Sequence, residues 1–101
     1  MKFKLKNDKY KKARGGPSRF LDISCEGCQT HLFYYQKDGP GILKRMYIDR
    51  IFESDNLKLD SNLVCPKCNK VLAIITIYEK ENRPALRLFA GAITKKIIKA
   101  G

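Results

Sequence analysis

Hydrophobic positions along the chain fall into short runs separated by turn-forming residues, and most runs carry β-branched or aromatic side chains. Phe20, Leu21 and Ile23 form one run that ends at Cys25, and Leu32, Phe33, Tyr34 and Tyr35 form the next. Their composition predicts two strands of one hairpin. Lys37-Asp38-Gly39-Pro40-Gly41 places two glycines and a proline within five residues, which no regular element accommodates, so the chain is predicted to reverse there. Leu43 to Ile48 predicts a further strand that breaks near Asp49, because Tyr47 and Ile48 favour extended structure after a tight turn. Glu53 to Asn62 is polar except for Leu57 and Leu59, and predicts a loop with a short strand over Leu57 to Leu59.

Val71 to Tyr78 is the longest apolar run in the chain. It is too short to span a membrane and rich in β-branched residues, so it predicts the central strand, covered on both faces or held between neighbours. Glu79 to Pro84 predicts the turn that follows. Ala85 to Phe89 predicts a return strand with Leu86 and Leu88 on one face and Arg87 on the other, and Gly91 marks a break or bulge after it. Over Ala92 to Ala100 a last strand is predicted, although the spacing of Ile93 and Ile97 also suits a helical turn. The expected fold class is mainly β.

The amino end follows a different pattern. Met1 to Arg14 carries seven basic residues, Lys2, Lys4, Lys6, Lys9, Lys11, Lys12 and Arg14, against one acid, Asp8. Residues 1–17 are therefore expected to form a basic arm ending in the Gly15-Gly16-Pro17 joint, and residues 18–101 a single domain. Met1, Phe3 and Leu5 alternate with lysines, a pattern that suits either an edge strand with a wet lysine face or an unstructured tail.

The arm is only part of a strong imbalance. The formal charge is +11, from 21 Lys and Arg against 10 Asp and Glu. A balance of this kind favours polyanionic partners, RNA or DNA ahead of acidic proteins or membranes, and also serves plain solubility. Within the body, Lys44, Arg45 and Arg50 cluster around the Gly-Pro-Gly turn and near Tyr34, Tyr35 and Tyr47. Cations interleaved with aromatics can hold phosphates and stack bases. Strand alternation sends Tyr34 and Tyr35 to opposite faces, so one of that pair at most belongs to an exposed platform.

The cysteines carry the most specific chemistry. All four lie in Cys25-Glu26-Gly27-Cys28 and Cys65-Pro66-Lys67-Cys68. Two thiolates from each turn can converge on one ion and complete the tetrahedron of sulfurs that a structural Zn²⁺ favours. Asn69 follows Cys68 where such turns need a left-handed residue, and Gln29 stands at the matching place after Cys28. Two disulfides in an exported protein are the alternative. However, Met1 is followed by Lys2, Lys4 and Lys6 with no apolar run long enough for a signal peptide or membrane span, so a reducing, cytoplasmic location is expected. There, paired Cys-x-x-Cys motifs bind metal, zinc ahead of iron, or serve thiol–disulfide chemistry. Four thiolates on one Zn²⁺ change the net charge by only two, so the holo-protein stays basic. His31, three residues beyond Cys28, is read as a strand-start residue near the metal rather than a ligand or base. Asp49 and Asp38 are read as turn-formers or as partners of their neighbours Arg50 and Lys37, rather than as catalytic acids.

The two knuckles, 36 residues apart and flanked by β-rich sequence, resemble the zinc-ribbon group, and their long spacing is similar to that of the Mss4-like fold. That group includes Rab-binding Mss4, methionine sulfoxide reductase B and the glutathione-dependent formaldehyde-activating family. The resemblance runs from Arg19 to Phe89 and implies a small β-sheet structure pinned by one structural zinc. Its enzymes carry further cysteines, for catalysis or a second metal, and this chain has none. With every thiol committed to a closed Cys₄ site, no nucleophilic sulfur and no open coordination position remain, so catalysis is not expected. The expected function is binding of nucleic acid, RNA or a ribonucleoprotein, through the arm and the basic surface of a zinc-bound β domain. An Mss4-like protein-interaction module is the alternative.

Overall fold

In the computed structural model of the chain, which describes residues 18–39, 42–54, 57, 59 and 61–98, the predicted hairpin forms as β1 (Ser18–Cys25) and β2 (His31–Asp38). Along β1, Leu21, Ile23 and Cys25 are buried at every second position, the period of a strand that faces a core. The remaining strands are β3 (Arg45–Tyr47), β4 (Ile51–Phe52), β5 (Leu63–Val64), β6 (Val71–Tyr78), β7 (Arg83–Leu88) and β8 (Ile93–Ile98). They make two antiparallel sheets, ordered β4-β2-β1-β8 and β3-β7-β6-β5. Leu21, Ile23, Phe33 and Tyr35 from the first sheet and Met46, Leu72, Ala73 and Leu86 from the second belong to one buried cluster, which also includes Cys25 and Cys65. The Tyr35 hydroxyl accepts the Tyr47 N–H at 2.9 Å and ties β2 to β3.

The basic arm, residues 1–17, lies outside the described residues, and so does part of the 53–62 loop. Within that loop Leu57 and Leu59 pack against the core without strand structure. The strand expected over Leu43 to Ile48 is shorter than predicted. It covers Arg45–Tyr47 and gives way to a 3₁₀ turn at Ile48–Arg50, where ion pairs of Asp49 with Arg83 and of Arg50 with Asp38 draw the two side chains in different directions. The turn expected to reach Pro84 closes earlier, at Asn82, whose φ of +49° reverses the chain so that β7 begins with Arg83.

β6 lies between β7 and β5 as the apolar run predicts, but β5 pairs with it only at Ala73 and Val71. Ile74 and Ile77, on opposite faces of β6, are exposed. Gly91 takes φ +69° in the turn from β7 to β8, and a Cβ there would meet nothing within 4 Å. The backbone angle, rather than space, is what calls for glycine. Residues Ile93–Ile98 form a strand, paired antiparallel with β1 from Phe20↔Ile98 to Cys25↔Ile93. Among the described residues no helix is long and apolar enough to cross a membrane.

Candidate metal centre

Each sheet delivers one Cys-x-x-Cys turn, the first between β1 and β2 and the second between β5 and β6. The two turns have the same backbone hydrogen bonds. Cys25 O accepts the Gln29 N–H at 2.8 Å and Cys25 N–H donates to Thr30 O at 2.9 Å; Cys65 O accepts the Asn69 N–H at 2.9 Å and Cys65 N–H donates to Lys70 O at 2.9 Å. Both turns need a left-handed residue after the second cysteine, supplied by Gln29 at φ +61° and Asn69 at φ +63°. Gln29, the poorer candidate by residue type, anchors its side chain by donating to Glu26 O at 2.8 Å.

This geometry brings the four Sγ atoms within 4.8 Å of one another. Cys25 Sγ lies 3.7 Å from Cys68 Sγ, and Cys28 Sγ lies 3.5 Å from Cys65 Sγ. Both contacts run between the knuckles, and both far exceed the ~2.05 Å of a disulfide. They are close to the ~3.8 Å edge of a tetrahedron with metal–sulfur bonds of about 2.3 Å. Cys25 and Cys65, at the strand ends, are buried, while Cys28 is half-buried and Cys68 exposed. The donor set fits a thiophilic tetrahedral ion, of which zinc is the usual occupant.

The surroundings favour thiolates unevenly. The Thr30 hydroxyl, 3.1 Å from Cys28 Sγ, and then the Thr30 backbone N–H bring the Cys28 thiol down to about 6, against the effect of burial. At Cys68 the Lys70 N–H acts in the same direction but is outweighed by the neighbouring sulfurs and by burial, which push that thiol up to about 11. Four sulfurs this close cannot all ionise side by side, because each thiolate raises the cost of the next. A divalent cation among them removes the conflict and deprotonates the ligands outright.

His31 does not join this group. Its Nδ1 lies 2.6 Å from Asp22 Oδ1 and its ring packs 4.7 Å from that of Tyr34, at the exposed start of β2. Asp38 accepts from Arg50 Nε at 3.0 Å, and Asp49 accepts from Arg83 at 2.8 Å.

The basic residues singled out in the body part company. Lys44 is exposed, and Arg45 stacks its guanidinium 4.3 Å from the centre of the Tyr78 ring. Arg50 is a correction to the sequence-based expectation. It is 1% exposed and ion-paired to Asp38, so it has no surface to offer a phosphate. Lys2, Lys4, Lys6, Lys9, Lys11, Lys12 and Arg14 lie outside the described residues. Arg87, read from sequence only as an outward-facing strand residue, stands directly opposite Arg45 on β3 and Ile74 on β6. Thr30 also escaped the sequence reading, though its place two residues after Cys28, matching Lys70 after Cys68, could have marked it.

Comparisons of the chain with protein-family models, with curated proteins and with solved structures each found no match. What the chain does has to be read from the geometry of its own residues.

Proposed function

We propose that the chain is a zinc-bound β domain that binds nucleic acid, RNA in particular, through the outer face of its second sheet. Cys25, Cys28, Cys65 and Cys68 would hold the ion, which supplies a cross-link between the two sheets and leaves no open coordination position for catalysis. A chain of this size gains much of its stability from such a staple.

The observation that carries the nucleic-acid reading is the pairing of Arg45 with Arg87. Like charges directly opposite on neighbouring strands repel, and neither guanidinium has an acidic partner among the described residues. Lys44 lies exposed just before the same strand, and the Arg45 contact with Tyr78 holds one cation flat on the sheet. A polyanion removes the repulsion that the sheet alone leaves in place. The overall charge of +11 points to the same class of partner.

The test is purification without nuclease, followed by binding to RNA over a salt series. Nucleic acid that co-elutes at low salt and dissociates at high salt supports the reading. Lys44→Ala, Arg45→Ala and Arg87→Ala should each flatten the log–log salt slope by about 0.7 to 0.9. A protein that elutes free of nucleic acid, with no RNA affinity at low salt, would leave the basic face a solubilising one and favour a protein partner.

A further inference from the structure

The turn from β7 to β8 is tied to the first cysteine knuckle and to strand β6. Glu26, inside the first, donates its N–H to Ala92 O at 3.0 Å. Leu72, in β6, accepts the Phe89 N–H at 3.1 Å. Ala92 N–H closes the turn on Phe89 O at 3.2 Å. Between this turn, the approach to β3 and the edge strand β8 lies a groove of about 600 Å³, lined by Ile42, Leu43, Lys44, Arg87, Phe89 and Lys95 among others. That is within the ~300–1,000 Å³ typical of ligand sites.

Three features of the groove point to one occupant. Lys44, Arg87 and Lys95 bring three cations to its walls, and no carboxylate is among the described residues that line it. Phe89 is 46% exposed and Ile42 78%, so an aromatic ring and an aliphatic side chain face solvent beside those cations. An apolar peptide would leave the cations unpaired, and a free phosphate would leave the ring uncovered. A base on a backbone of phosphates satisfies both, because every base offers a π-face and every linkage one negative charge.

Building on the nucleic-acid reading above, we propose that this groove is a single-strand binding site, in which a base stacks on Phe89 while Lys44, Arg87 and Lys95 hold the flanking phosphates. A duplex keeps its bases stacked internally and cannot offer one to Phe89 without unpairing it. Strand state is therefore what the groove discriminates. The metal takes part only through position, because the first knuckle anchors the turn that carries the ring.

The experiment uses the full zinc-loaded chain, a labelled oligouridine of about a dozen nucleotides and an RNA duplex of similar length. Phe89→Ala should weaken oligouridine binding roughly 5- to 150-fold with little change in salt slope, since stacking rather than charge is lost. Duplex binding should hardly move. Phe89→Trp should retain affinity and, because the chain has no tryptophan of its own, gives a fluorescence signal that the oligouridine quenches on stacking. Arg87→Ala should lower the salt slope for both probes. Zinc content measured on each variant separates loss of a contact from loss of fold. If the parent binds oligouridine but Phe89→Ala binds it equally well, or the introduced indole is not quenched, the groove assignment falls while nucleic-acid binding by the basic face stands. If the parent binds neither probe, both fall.

Discussion

Asp38 and Arg50 form a buried ion pair whose disruption should be among the most damaging single changes to the described residues. The Asp38 side chain is 4% exposed and that of Arg50 1%. Asp38 accepts from Arg50 Nε at 3.0 Å, from Gln36 Nε2 at 2.8 Å and from the Ser18 hydroxyl at 2.6 Å. Replacing Asp38 with Ala removes all three acceptor contacts and, of the acids paired with this guanidinium among the described residues, leaves Asp49, 3.8 Å away and 43% exposed. Removing one partner of a buried pair costs about 3–5 kcal/mol, because the remaining charge keeps its desolvation penalty. Against a total stability of roughly 5–15 kcal/mol, that brings the fold close to its limit. Adding Arg50→Met should recover much of the loss, since the stranded charge goes with it and an apolar chain of similar length fills the space. Urea denaturation at fixed zinc concentration measures all four species of the cycle and yields the coupling energy directly. A loss under about 1 kcal/mol for Asp38→Ala, or a double variant no more stable than the single one, would show that the guanidinium reaches water and that the pair is not a buried one.

Burial, outweighing the hydrogen bond from the Tyr47 N–H, holds the Tyr35 phenol well above its ordinary value. A raised folded-state value means that Tyr35 contributes its stability in full below pH of about 10 and loses it as the pH climbs beyond. Tyr35→Phe should cost about 1–3 kcal/mol at pH 8, by removing the hydroxyl that accepts the buried Tyr47 N–H, yet flatten the alkaline loss seen in urea midpoints above pH of about 10. At Asn69, held at φ +63°, Asn69→Gly should keep the melting temperature within a few degrees, whereas Asn69→Val should lower it by roughly 4–16 °C in calorimetry.

The metal centre was legible in the sequence because its geometry is local. Two residues between cysteines, and Asn69 after the second pair, dictate a turn with both sulfurs on one side wherever the strands happen to lie. The strands were legible for a similar reason, since a period of two and β-branched side chains describe a half-buried pleat; even the ambiguous Ile93–Ile98 resolves as β8 once β1 offers it an edge. What the sequence hid depends on contacts between distant residues. Arg50 looks like a surface cation until Asp38, twelve positions earlier, is placed against it. Arg87 becomes notable only when strand register sets it opposite Arg45, and Phe89 only when the inter-sheet turn leaves its ring in a cationic groove. The strand expected over Leu43 to Ile48 shortened for the same reason, because ion pairs across the fold outweigh the extended preference of Ile48.

The central claim, one zinc ion held by Cys25, Cys28, Cys65 and Cys68 on which the fold depends, is tested most directly by native mass spectrometry coupled to far-ultraviolet circular dichroism through a chelator titration. The site geometry predicts one zinc per chain, lost together with the β-sheet signal as the chelator removes it and restored with it on adding zinc back, because binding and folding free energy are linked at such sites. A metal-free chain that keeps its sheet signal and four titratable thiols would contradict the account.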